Sequence, residues 1–247
     1  MKRKSLSIAA TVMLVGALAT AMAQKADKKW TEWSKKEALK VLDDSPWGRI
    51  QVDTDTAEMM FTPTAAPGTS GTNDRRAASG ATNQSVNLTF HVRFFSARPI
   101  RQALARIMEL SQNLDPKTAS DTLTKLHNFG EMKSTDSIIV TVTFDSPDGR
   151  YSGPAIQAFS SAVTSTMKND TYLQRSDGKQ LFLEEYVPPG KDGFGARFIF
   201  LREKDGQPFL NDKAGEIRFY AKYPNSSIKI DRRFKVADMK YQGELEY

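Results

Sequence analysis

The sequence predicts an α+β protein built mostly of antiparallel sheet, with three or four amphipathic helices and a strand-rich C-terminal half. Three observations carry that expectation. Apolar and polar residues alternate in "VNLTFHVRFFS", "SIIVTVTF", "FGARFIFLR" and "EIRFYAKY", the period of half-buried strands. Apolar residues recur at helical spacing in "EALKVLDD", "IRQALARIMEL" and "PAIQAFSSAVTSTM", the stripe of a helix lying on a core. Asp-Gly pairs at Asp177-Gly178 and Asp205-Gly206 separate alternating runs, which signals hairpins.

The chain opens on Met1-Lys2-Arg3-Lys4, followed by the uncharged run Ser5 to Thr20 and the small-x-small triplet Ala21-Met22-Ala23. This order fits a secretory signal peptide over residues 1–23, cleaved between Ala23 and Gln24, and the apolar run is short for a membrane span. A periplasmic or secreted product is expected, not an integral membrane protein. The formal charge of +6 includes Lys2, Arg3 and Lys4, so cleavage halves it. Such a weak surplus does not call for nucleic acid. The chain has no cysteine, so no disulfide or thiolate chemistry supports it in an oxidising compartment.

Residues 24–61 are expected to hold one helix and short strands. Ser34 and Glu37 have capping-box spacing, starting a helix at Lys35 that ends near Asp44 ahead of Pro46. Its charges oppose its dipole, with Lys35 and Lys36 at the start and Asp43 and Asp44 at the end. So short a helix needs tertiary support, and Trp30, Trp33 and Trp47 are the expected structural anchors. The competing reading makes these tryptophans and the neighbouring lysines an aromatic ligand platform. A strand over Arg49 to Val52 follows, with a second short strand reaching Phe61 after a polar turn as an alternative to loop. Residues 62–85, small and polar with Arg75-Arg76 in the middle, are expected to form a flexible loop.

The main α+β domain is expected over residues 86–247. Its first strand sets Val86, Leu88, Phe90, Val92 and Phe94 on one face. Pro99 then opens a helix whose stripe is Ile100, Ala103, Leu104, Ile107 and Met108. A short helix ended by Gly130 follows. After the strand Ser137 to Phe144, Asp148-Gly149 reads as a turn and Pro154 as the start of a helix with Ile156, Phe159, Val163 and Met167 on one side. "QLFLEEYV" reads as one strand, and "YQGELEY" as another.

Chemistry-bearing patterns are sparse. His91 and His127 are the only histidines, and no motif with metal-ligand spacing exists, so no metal or other cofactor is expected. No G-x-S-x-G elbow occurs, and Arg93 beside His91 is expected to lower the histidine's pKa. Glu184 and Glu185, adjacent in a strand, point to opposite faces. The densest polar grouping is His91, Arg93 and Phe95 with Arg98 and Arg101, a candidate binding site for an anion or planar ligand. The same residues also suit an ordinary solvated sheet face.

The segments "WTEWSKKEALKVLDDSPWGR" and "VRFFSARPIRQALAR" resemble uncharacterised secreted proteins of soil bacteria of the acidobacterial kind. The resemblance implies a bacterial, periplasmic or extracellular setting and brings no activity, ligand or catalytic residue. The sequence therefore favours a non-enzymatic binding or envelope-associated module with an envelope or extracellular partner. Two alternatives stand beside it: a periplasmic hydrolase using convergent carboxylates, and a small outer-membrane barrel-like protein closed by the C-terminal "KYQGELEY".

Overall fold

The alternation in "NLTFHVRF" has a direct structural counterpart. In the computed structural model, which describes residues 28–54, 87–112, 119–134, 136–146 and 149–247, strand β2 (Asn87–Phe94) buries Phe90, Val92 and Phe94 completely. It pairs antiparallel with β1 (Gly48–Thr54) and with β3 (Ser137–Asp145), which buries Ile138, Val140 and Val142 on the same side. With β6 (Glu185–Val187) and β7 (Ala196–Leu201) these form a five-stranded sheet in the order β1-β2-β3-β7-β6. A four-stranded sheet of β4 (Thr171–Arg175), β5 (Gln180–Phe182), β10 (Glu216–Lys222) and β11 (Lys229–Lys235) runs β11-β10-β4-β5. All strand pairs described are antiparallel, so the predicted α+β class holds.

The two sheets face one another. Phe94 meets Phe234 edge-on at 4.9 Å between ring centroids, and Phe198 meets Phe219 at 5.1 Å. Such offset and edge contacts add to the area buried between the sheets. One long side of this sandwich is joined by a side chain. Gln51, on edge strand β1, donates to Lys229 O at 2.7 Å and accepts from Asp231 N at 2.9 Å, both on edge strand β11. Its amide thus serves as a segment of backbone between two edges that would otherwise lack partners. On the opposite side the main chain crosses over. Leu183 N donates to Thr171 O in one sheet and Glu184 N to Ile199 O in the other. "QLFLEEYV" is therefore two strands in different sheets, because the chain turns the corner at Leu183 and Glu184.

Helix α1 (Lys35–Asp43) begins with both bonds of the Ser34–Glu37 capping box. Its adverse C-terminal charge is met from the sheet. Arg93 donates to Leu42 O at 3.2 Å and to Asp43 at 2.7 Å, placing a cation where the helix dipole is negative. Helix α2 (Arg98–Ser111) starts with Pro99 in its first turn and buries Ile100, Ala103 and Ala105 fully. Helix α3 (Ala119–Glu131) includes Gly130 instead of ending at it. A Cβ at that position would lie 3.2 Å from the Trp30 indole, so the glycine makes room for a ring and does not stop a helix.

Helix α4 (Gly149–Ser161) starts before Pro154, which lies inside it, so Gly149 belongs to a helix and not to the expected turn. The helix also stops earlier than its apolar spacing suggested, and a separate short α5 (Thr164–Met167) follows. The buried side of α4 is Ala155 and Phe159, continued by Ala162 just past its end, while Ile156 and Val163 are exposed. The small alanines let α4 sit close, and Phe159 stacks on Tyr223 at 4.3 Å and on Phe90 at 6.2 Å.

Two-residue turns close the remaining ribbons. Asp205-Gly206 links β8 (Glu203–Lys204) to β9 (Gln207–Pro208), and Gln242-Gly243 links β12 (Lys240–Tyr241) to β13 (Glu244–Leu245). All four turn residues have positive φ, from 52° to 83°, the geometry that matches strand twist. "YQGELEY" is thus a hairpin and not one closing strand. The expected signal peptide, the Ala23–Gln24 cleavage site, the second short strand to Phe61, the loop at 62–85, Val86 and Asp148 lie outside the described residues. No helix among the described residues is long and apolar enough to cross a membrane.

Candidate binding groove

The five residues singled out by their spacing do not converge. His91 and Arg93 stand on the outer side of β2. His91 Nδ1 is 2.9 Å from Asp43 and Nε2 is 2.9 Å from Asp145, while Arg93 Nη1 reaches Thr143 Oγ1 at 3.2 Å. Phe95 packs with Phe129 of α3 and Phe194 of the loop before β7, at 5.8 and 5.1 Å. Arg98 turns the other way, pairing with Glu246 at 3.0 Å and lying 5.3 Å from the Tyr241 ring centroid. Arg101 is only 3% exposed and donates to the carbonyls of Phe95, Ser96 and Met132. It is a latch between β2's end, α2 and the segment after α3.

The expected lowering of the His91 pKa is reversed. The hydrogen bond to Asp43 raises it, Asp145 adds to the rise, and these outweigh burial and the Arg93 charge. Burial pushes the Asp43 carboxyl up, but the hydrogen bonds with His91 and Arg93 bring it below its ordinary value. Asp43 therefore offsets the arginine that sequence adjacency made prominent. Because the folded His91 pKa is raised, its contribution to stability is complete below the ordinary histidine value and fades as pH climbs through the raised one. Asp43 acts in the opposite sense, supporting the fold above the ordinary aspartate value and less as pH falls through its lowered one. His91→Gln should flatten the loss of stability on the alkaline side of this window. Chemical denaturation of both proteins from pH 5 to 9 checks this, and parallel curves would remove His91 from the account.

Asp43 and Asp145 are thus bridged by an imidazole and do not face one another across open space. Among the described residues no group of three or more acidic or histidine side chains is arranged to hold a metal ion. Glu184 and Glu185 are both exposed, at the corner between the sheets.

The tryptophans sit in three different settings. Trp47 is 7% exposed, donates its indole N–H to Glu246 O at 2.8 Å and meets Tyr241 edge-on at 6.2 Å. Trp30, also 7% exposed, lies in a short 3-10 turn (Trp30–Glu32), donates to Glu131 at 2.7 Å and meets His127 edge-on at 5.1 Å. Trp33 is half-buried, packing partly on the core, and its carbonyl accepts from Arg106 Nε at 2.7 Å.

Around the two outer tryptophans the chain forms a groove of about 750 Å³. The 3-10 turn supplies one wall with Trp30 and Trp33, and the β12–β13 hairpin supplies the other with Tyr241. Lys28, Lys29 and Lys240 stand at its rim. Its acidic lining residue, Glu131, is already engaged by Trp30 and Gln102. Lys28 pairs with Glu37 at 2.7 Å and Lys240 with Asp212 at 3.2 Å, both exposed pairs that water and salt weaken, while Lys29 has no ion pair among the described residues. The size and mix of ring faces with a few charges suit a ligand. The sequence offered the Trp and Lys side of this groove only as the reading competing with structural anchors. That reading missed Lys240 and Tyr241, which a hairpin some two hundred positions away brings opposite, and the Gln-Gly pair was the available signal.

In comparisons with family models, with curated proteins and with solved structures, nothing matches this chain.

Proposed function

We propose that this chain is an exported, non-enzymatic binding module that takes an acidic glycan into the groove between its 3-10 turn and its C-terminal hairpin. The single observation behind this reading is the groove's lining: Trp33 and Tyr241 offer ring surface, and three lysines offer positive charge. The C–H face of a sugar ring packs on an aromatic side chain, and a uronic carboxylate pairs with a lysine. Bare apolar ligands would leave the lysines unused, and small inorganic anions would leave the rings unused. The basic start, the uncharged run and Ala21-Met22-Ala23 support export.

Retention on immobilised polygalacturonate tests the binding reading. The wild-type protein should be retained at low salt and released as salt rises. Lys29→Ala and Trp33→Ala together should abolish retention while the fold persists, since Trp33 is half-buried and its loss costs only about 1–2 kcal/mol. Equal retention of the double variant would overturn the groove as the site. Export is tested separately by mass spectrometry of the protein from fractionated cells, where a mature chain beginning at Gln24 is expected and one beginning at Met1 would contradict it.

A further inference from the structure

The seam sealed by Gln51 opens a little further along into a second cleft, of about 510 Å³, lined by Arg49, Ile50, Asp231, Arg232 and Arg233. Arg49 lies two residues from Gln51 on β1, opposite Val92 and so on the inward-facing side of its sheet. Arg232 stands opposite Phe219 on β11, the inward-facing side of the other sheet. Two guanidinium groups therefore rise from adjoining edges into one gap, while Arg233, one position on, is exposed on the outer face of β11 at the cleft's lip.

Their charge is poorly answered by the protein. Asp231 is taken by Arg218, which holds both of its oxygens at 2.7 and 2.5 Å. Arg49 reaches the exposed Asp44 only at 3.5 Å, and Arg233 is 3.8 Å from Glu216. Arg232 has no carboxylate partner among the described residues, and its Nε is buried without any hydrogen bond. A buried, unpaired guanidinium N–H costs free energy that a bound acceptor would recover. Like charges gathered with so few close counter-ions point the same way.

From this cleft we infer a binding site for a phosphate group, as free phosphate or a phosphomonoester. Arginine forks hold oxyanions two oxygens at a time. One fork is enough for a carboxylate's two oxygens, whereas two forks rising from adjoining edges match the several oxygens of a phosphate. This site is independent of the glycan groove, which is lined by none of the same residues.

Thermal unfolding of the full chain in inorganic phosphate, and separately in glucose 6-phosphate, tests the inference at ionic strength held constant with sodium chloride. A saturating rise in midpoint is expected with at least one of them, and the stronger response identifies the source. Arg232→Gln should weaken the apparent affinity by on the order of tenfold. The partly exposed Arg49→Gln, which leaves the core untouched, should weaken it several-fold. A wild-type response no larger than that to chloride would overturn the inference. So would phosphate responses unchanged in both variants.

Discussion

Trp47→Ala is expected to lower the thermal midpoint by on the order of 10 °C, the largest loss of any single tryptophan here. The indole is 7% exposed and belongs to the core. It joins the entry of β1 to the C-terminal segment through its bond to Glu246 O. Truncation leaves a cavity and removes that bond together, a cost of about 3–5 kcal/mol. This is a large share of the stability of an ordinary domain. Trp47→Phe refills part of the space without the N–H donor and should recover roughly half. Differential scanning calorimetry of the three proteins reads both effects. A midpoint for Trp47→Ala within a degree or two of wild type would contradict the packing described.

Arg101→Met should cost nearly as much, about 3–4 kcal/mol, although no carboxylate is lost. The guanidinium serves three main-chain carbonyls from two segments, those of Phe95 and Ser96 after β2 and of Met132 after α3. Methionine fills the volume and leaves those acceptors without this donor. Lysine has one nitrogen in place of a planar fork, so Arg101→Lys should rescue only part of the loss. Urea titrations of both variants decide this, and full rescue by lysine would mean that charge alone matters at the site.

Those two side chains show where the sequence can be read and where it stops. Trp47 drew attention because tryptophan is large and apolar, and burial of such a residue follows from its transfer energy alone. Arg101 drew attention for the wrong chemistry. Its spacing from His91 and Arg93 suggested a cluster, but a helix start after β2 turns successive arginines in different directions. Local signals otherwise held. The Ser34–Glu37 box, Pro99 in a first turn, the inward set Phe90, Val92 and Phe94 and the Asp-Gly hairpins are all determined within a few residues.

What failed depends on partners distant in sequence. Gly130 looks like a helix stop until Trp30 is placed against it. The break at Leu183 and Glu184 follows from two sheets meeting at a corner, which alternation alone does not encode. The His91 shift reversed because Asp43 and Asp145 arrive from other elements. The groove follows the same rule, since its two walls come from opposite ends of the described chain.

The indole N–H resonances test the groove most directly, because the three tryptophans occupy three settings. A titration of the ¹⁵N-labelled protein with a galacturonic acid tetrasaccharide should shift the Trp33 signal most. Trp30 should move with it, and Trp47, held on Glu246 O outside the groove's lining, should stay in place. Saturating movement of Trp33 and Trp30 with a still Trp47 is the result expected of a glycan seated between the 3-10 turn and the hairpin. Three unmoved indole signals at saturating tetrasaccharide, or a shift confined to Trp47, would contradict it.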